Sequence, residues 1–309
     1  MYPQKGLKRL LERSCPGRVR QWVSLAPLTT LRIGGNADWL VTPDGLSELQ
    51  SLLAVFGEQE IPWYLLGRGS NLLIADSGVR GVVIHLGPAW SRIEAKDLGD
   101  NRWLLEIEAG FPLPQLVGYG IKHHLSGLEF LAGIPGSLGG AWAMNAGSYG
   151  KEIKNITEYL MVCLPQGQMK KMRREDLTFK YRGLERMPGT IILGGGIILS
   201  SGDPVAIRKE TRDLWNRRRK TQPLGLPSCG SVFKNPAGDF AGRLIEEAGL
   251  KGLQKGGIEV SRVHANFIVN RGQGRAKEFL RLMRLIRKRV FQRTGILLEP
   301  EVICWGCSL

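Results

Sequence analysis

The stretch from Gly127 to Gly147 holds six glycines, Gly127, Gly133, Gly136, Gly139, Gly140 and Gly147, around one proline, Pro135. Glycine lets a backbone take positive φ and approach a neighbour closely, at a cost in chain entropy. Core packing rarely asks for so many glycines in so short a run. The stretch reads as a loop whose N–H groups face something anionic, such as a pyrophosphate.

A length of 309 residues allows two or three domains with real cores. With 43% hydrophobic and 23% charged residues the composition is globular. Glycine, at 41 residues, is nearly twice its usual share, which points to several backbone-lined turns. The net charge of +15 brings nucleic acid to mind, but no recognition motif accompanies it. A basic surface that attracts nucleotides or keeps the protein in solution fits equally well. No stretch is long and apolar enough to cross a membrane, and the basic start has no apolar signal core behind it. The expectation is a cytoplasmic protein, without nucleic acid or membrane insertion, and a monomer. Five cysteines, an odd number, suit a reducing compartment. Cys304 and Cys307 have the spacing of a redox pair, but no second pair stands by for zinc. No metal site is expected, since the four histidines are scattered.

Periodicity predicts a basic amphipathic helix over 1–20, with Leu7, Leu10 and Leu11 at helical spacing. A strand follows within 31–43, then a helix over 46–57 and short strands at 63–66, 72–75 and 81–86. Residues 103–109 alternate as a half-exposed strand. A helix is expected at 113–124, strands near 157–164 and 190–199, and a basic helix over 204–220. A turn-rich stretch around Pro223 marks a boundary. Beyond it come a helix at 240–249, a strand at 263–270 and a long helix near 275–293. That helix has Ala276, Phe279, Leu280, Met283, Ile286 and Val290 on one face. Neither a strand–GxGxxG–helix unit nor a Gly-Lys-Ser/Thr phosphate loop is present.

Several segments could carry chemistry. Gly67 to Leu72 is a second backbone-rich loop; with 133–140 it could grip the two ends of a pyrophosphate cofactor, although alone it reads equally as a tight turn. Asn71 and Ser137 have short polar side chains suited to phosphate or a ring edge. Arg182 could make a bidentate contact with a carboxylate or phosphate, or be a surface cation. In Cys229 to Pro236, Gly230 makes a turn that can expose the Ser231 hydroxyl, with Lys234 and Asn235 beside it. No nucleophile elbow is present, which disfavours a hydrolase triad; the serine can still serve as a proton donor, or the segment is a structural turn. His264 on an apparent strand is compatible with a core role. Glu299 and Glu301 flank Pro300, and one carboxylate can point inward.

Taken in order, seven blocks resemble the UDP-N-acetylenolpyruvoylglucosamine reductase family, flavoenzymes of bacterial cell-wall precursor synthesis. The blocks are residues 30–37, 67–72, 127–147, 181–182, 230–236, 260–270 and 299–302, so the resemblance spans nearly the whole chain. It implies an α+β fold: a two-part FAD-binding module of the vanillyl-alcohol-oxidase (PCMH) type, plus a C-terminal α+β substrate domain. The corresponding boundaries are a lead-in at 1–30, the FAD module at 31–222 (parts 31–88 and 89–222), and the substrate domain at 223–309.

By the same resemblance, Gly67, Arg68, Gly69, Ser70, Asn71 and Leu72 hold non-covalent FAD. So do Gly133, Ile134, Pro135, Gly136, Ser137, Gly139 and Gly140, with Asn145, Ala146 and Gly147 close by. NADPH would be the hydride donor and an enolpyruvyl ether of a UDP-sugar the acceptor. Arg182 and Glu301 would lie where negative charge builds toward the substrate carboxylate. The cation stabilises that charge directly; Glu301 helps when protonated or by orienting a donor. Ser231 would protonate the carbon that does not receive hydride. Lys220, Lys234, Asn235, His264 and Asn266 would contact the uridine diphosphate portion. Two departures stand out. Gly183 and Leu184 follow Arg182 where the family often has serine, and no tyrosine-bearing insertion lies between 182 and 220. The chain therefore resembles the shorter form of the enzyme. Another flavin-linked oxidase of the same superfamily is disfavoured by Ser231 and Glu301 in their blocks.

Overall fold

Pro16 and Gly17 end the first helix well before residue 20. In the computed structural model, which describes residues 4–309, α1 spans Gln4–Ser14 and buries Leu7 and Leu11. Gly17 then takes φ +69° and the chain enters β1 (Val19–Ser24). The predicted single helix over 1–20, of which 1–3 lie outside the described residues, is from Gln4 on a helix and then a strand, because proline removes an N–H and glycine permits the left-handed turn.

β2 (Asn36–Val41) stops short of Pro43, and α2 (Leu46–Glu58) buries Leu49, Leu52, Leu53 and Phe56 at helical spacing. β3 (Trp63–Leu66), β4 (Leu72–Ile74) and β5 (Val79–His85) follow. β6 (Ile93–Gly99) and β7 (Arg102–Glu108) form a hairpin over Asp100 and Asn101, both at positive φ, as a right-twisting two-residue turn requires. α3 (Leu113–His123) leads through β8 (Leu125–Ser126) into the glycine-rich segment. That segment is not all loop: α4 (Leu138–Ala143) lies inside it, capped by Ser137, whose Oγ accepts from the Gly140 N–H at 3.4 Å.

β9 (Gly147–Ser148) and β10 (Lys151–Glu152) pair across a tight turn. Next come β11 (Thr157–Cys163), β12 (Met169–Arg173), the short hairpin β13 (Phe179–Lys180) and β14 (Gly183–Leu184), and β15 (Ile191–Ser201). α5 (Pro204–Thr221) closes this part. The remainder is β16 (Ser228–Ser231), α6 (Ala241–Glu247), β17 (Gln254–Lys255), β18 (Ile258–Val260), β19 (Phe267–Asn270), α7 (Ala276–Thr294) and β20 (Ile303–Trp305). The strand expected over 263–270 begins only at Phe267. Before it, the Ser261 Oγ accepts from the N–H groups of Val263 and His264 and holds a turn.

Two compact units result. The first comprises the chain up to Gln21, Trp39–Gly67 and Gly81–Asn216. Its antiparallel sheet runs β12-β11-β15-β7-β6, with β8 on β15. Its core joins Leu105, Ile107, Leu160, Ile191 and Ile197 of this sheet to Leu116, Leu131, Leu138 and Trp142. A second sheet runs β1-β2-β5-β3, with β3 and β5 parallel. The other unit comprises Trp22–Asp38, Arg68–Arg80 and Arg217–Leu309. Its sheet runs β16-β19-β18-β17, and β20 pairs in parallel with β4. α7 buries all six apolar residues expected of it, and Leu282 besides. Division by chain order places the boundary near 222. By contacts, 22–38 and 68–80 also group with the C-terminal part. Among the described residues no helix is long and apolar enough to cross a membrane.

Candidate active site

In the first unit, Gly67 lies against the glycine-rich segment. A Cβ on Gly67 would stand 2.7 Å from the Ser137 Oγ, so a larger residue would have to displace that hydroxyl. Gly133 has φ +77°. Leu138 N–H and Gly139 N–H donate to Phe111 and Ala109 carbonyls, and the Gly136 carbonyl accepts from Leu113 N–H. Gly136 and Ser137 are buried, yet their own N–H groups find no backbone acceptor among the described residues. Buried amides are almost always paired, so this pair suits an anion supplied from outside the chain. A diphosphate linked to a flat ring system fits that chemistry.

Asn145 is fully buried and left-handed, at φ +43°. Its Nδ2 donates to the Lys180 carbonyl at 3.0 Å, and its Oδ1 accepts from the Lys154 N–H at 3.4 Å. The side chain expected at the cofactor thus ties α4 to the β13–β14 hairpin. The two-residue turn of that hairpin carries Arg182, itself at φ +57°. The guanidinium lies 4.9 Å from the Tyr181 ring centre. Glu152 completes the neighbourhood. Burial raises its pKa, but hydrogen bonds from Lys154 and Asn145 and the charges of Lys154 and Arg182 outweigh that and hold the carboxyl below its usual range.

In the second unit, Ser231 ends β16 beside Glu301. The Glu301 N–H donates to the Val232 carbonyl at 2.8 Å, and the Lys234 N–H to the Glu299 carbonyl at 2.8 Å. Gly230, at φ +78°, occupies the irregularity between Ser228 and Ser231 in the β16–β19 ladder and re-aims the strand end. Asn71 is joined to the same place: its Nδ2 donates to the Glu301 carbonyl at 3.0 Å, and its carbonyl accepts from Ile303 N–H. So loop 68–72, Ser231 and Glu301 are neighbours within this unit. Thr30 secures them, its Oγ1 donating to Ser228 O at 2.7 Å while its N–H donates to Gly69 O. Sequence reasoning gave Thr30 no role. A hydroxyl before a double-glycine turn was the available signal, but its partners lie 39 and 198 residues away in the chain.

The remaining candidates differ in kind. Lys220 is exposed near the end of α5. Lys234 Nζ lies 3.3 Å from the Glu299 carboxylate. Asn235 Oδ1 accepts from Ala241 N–H, at the start of α6. Asn266 is buried, and its amide is engaged on both sides by Phe233: N–H to Oδ1 at 3.0 Å and Nδ2 to carbonyl at 2.7 Å. That is a clamp on the strand following Ser231, an internal use of the side chain that its spacing did not reveal. Asn266→Ala is expected to leave both Phe233 groups unpaired and to lower stability by about 2–5 kcal/mol, read as a lower denaturant midpoint at unchanged slope.

His264 Nδ1 accepts from the Asn266 N–H at 3.2 Å, and its ring meets Phe267 edge-on. Burial first, then the Lys251 charge, lowers its pKa. The unfolded chain, with histidine near pKa ~6.5, therefore binds this proton more readily than the fold does. His264 contributes stability that is full above the unfolded value and is lost as pH falls through the folded one. Melting temperature should drop more between pH 7 and pH 5 in the wild type than in His264→Gln. Among the described residues no group of histidine, cysteine or acidic side chains could hold a metal ion.

Buried backbone amides suited to an anion, on an α+β framework, fit a flavin-binding oxidoreductase. The sequence profile of the FAD binding domain family matches residues 37–173, and that of the UDP-N-acetylenolpyruvoylglucosamine reductase C-terminal domain matches residues 222–305. The UDP-N-acetylenolpyruvoylglucosamine reductase of Geotalea uraniireducens is 45% identical over 286 residues, 93% of each chain. Reductase 2 of Symbiobacterium thermophilum is 42% identical over 293 residues, 94% of this chain and 93% of that one. The crystal structure of the Thermus caldophilus reductase superposes with a TM-score of 0.80 at 38% identity, covering 94% of this chain and 99% of that one. The chain belongs to the UDP-N-acetylenolpyruvoylglucosamine reductase family.

Proposed function

We propose that this protein reduces the enolpyruvyl ether of a UDP-linked N-acetylglucosamine to UDP-N-acetylmuramate, with NADPH as hydride donor, in the cytoplasm. The observation that carries the reading is the pairing of the Ser231 strand end with Glu301, beside Asn71, in the unit that contains the reductase C-terminal domain. Gly67 to Leu72 and Gly133 to Gly140, with Ala146 and Gly147, hold FAD without a covalent bond. The chemistry that bound FAD would supply there is hydride transfer from NADPH to the substrate. Asn145 acts at one remove, through the hairpin.

Arg182 faces the substrate carboxylate and stabilises negative charge as it develops there. Ser231 gives its hydroxyl proton to the carbon next to that carboxylate, completing a reduction in which one carbon gains hydride and the other a proton. Glu301 orients donors beside Ser231. Lys220 and Lys234 are the cations available to the diphosphate, whereas Asn235, His264 and Asn266 shape the wall through backbone contacts. Purified protein should oxidise NADPH rapidly only when the enolpyruvyl sugar nucleotide is present. Equal oxidation with oxygen alone would identify an oxidase instead.

A further inference from the structure

Of the five cysteines, Cys15, Cys163 and Cys229 are buried, and only Cys304 and Cys307 are partly open to solvent. These two thiols share Leu73 as a neighbour. Cys304 sits in β20, opposite Leu73 of β4. Gly306 then turns the chain at φ +68°, and Cys307 returns to lie 4.0 Å from the Leu73 carbonyl oxygen. The turn is fixed from outside, since a Cβ on Gly306 would stand 2.5 Å from the Gly78 carbonyl oxygen. The Ala75 N–H holds the Trp305 carbonyl at 2.9 Å. Two thiols three residues apart are thereby presented together on a braced turn.

We propose that Cys304 and Cys307 form a redox-active dithiol that closes to an intramolecular disulfide by exchange with a low-molecular-weight disulfide. The Cys304 thiolate attacks one sulfur of the small disulfide, forming a mixed disulfide and releasing one thiolate. Cys307, losing its proton, then attacks the Cys304 sulfur, forms the Cys304–Cys307 bond and releases the second thiolate. Two electrons and two protons pass from the pair to the small disulfide, which leaves as two thiols. Cys304 is the attacking group: the hydrogen bond from Cys307 lowers its pKa and raises that of Cys307. Burial pushes the nearby Cys229 thiol up to about 12, so it stays protonated and out of the exchange.

Cys304 lies on β20, just after Glu301 and paired with β4, the strand that follows Asn71, and Cys307 lies just past the end of β20. Oxidation of the pair would covalently brace that corner of the second unit.

The test treats the native wild-type protein with glutathione disulfide, followed by alkylation and mass spectrometry. The expected product has lost two hydrogens and shows the 304–307 peptide cross-linked and protected from alkylation. Cys307→Ser should instead accumulate a stable glutathione adduct on Cys304. In Cys304→Ser the adduct at Cys307 should form about tenfold more slowly or worse. A persistent glutathione adduct on the wild type, a bond from Cys304 to Cys229, or unchanged alkylation of both thiols would overturn the assignment.

Discussion

Ser231→Ala is expected to lose about 10²–10⁴-fold in turnover, the usual worth of a positioned proton donor. The loss should fall on kcat rather than KM, because the hydroxyl acts after the substrate is seated. Reduction of the bound flavin by NADPH should be unaffected, since no proton donor to the substrate is needed for it. The fold should also survive, because the bonds that set this corner are backbone bonds. Val232 N–H to Asn266 O, Glu301 N–H to Val232 O and the Asn266 clamp on Phe233 all remain in the alanine variant. Ser231→Cys should retain more activity than alanine, as a thiol can also deliver a proton. Equal activity of Ser231→Ala and the wild type would remove the serine from the mechanism.

Replacing Arg182 by glycine should cost about 10²–10³-fold in kcat, the scale of a lost charge-stabilising donor. Stability should move the other way. Arg182 is held at φ +57° in the hairpin turn, a conformation that costs an L-residue about 1–2 kcal/mol and glycine little. A more stable but nearly inactive Arg182→Gly variant would show that backbone strain here serves the reaction. Arg182→Lys should recover only part of the rate, since an ammonium cannot present the planar fork to a carboxylate. A destabilised glycine variant of normal activity would contradict the assignment. Asn145→Ala should weaken the same step less, by freeing the hairpin that carries Arg182.

Much of this arrangement is legible in the sequence. Burial of one face writes helices into the pattern, and α2, α3, α5 and α7 fall within a few residues of their expected bounds. Two strands, β6 and β12, left no such mark. They are the edges of the large sheet, exposed at nearly every position, so their sequences Ile93–Gly99 and Met169–Arg173 carry no apolar alternation. The glycine-rich segment signalled an anion cradle, but α4 within it is too short to show a period. Among site residues, the sequence marked Ser231 as a candidate from its turn and Glu301 through the family resemblance, without showing that they neighbour each other. Their adjacency comes from a bridge between Phe233 and Pro300, distant in the chain. The internal duties of Asn266, Asn145 and Thr30 were likewise hidden, because each is defined by a backbone partner that no local pattern names.

Turnover is a two-step hydride transfer in which the substrate of the second step is the enolpyruvyl sugar nucleotide. This is tested most directly by anaerobic absorbance spectroscopy on the purified protein. Addition of NADPH should bleach the oxidised flavin band, and subsequent addition of the enolpyruvyl sugar nucleotide should restore it with formation of one UDP-N-acetylmuramate per flavin. A flavin that NADPH bleaches but that only oxygen restores would contradict the account.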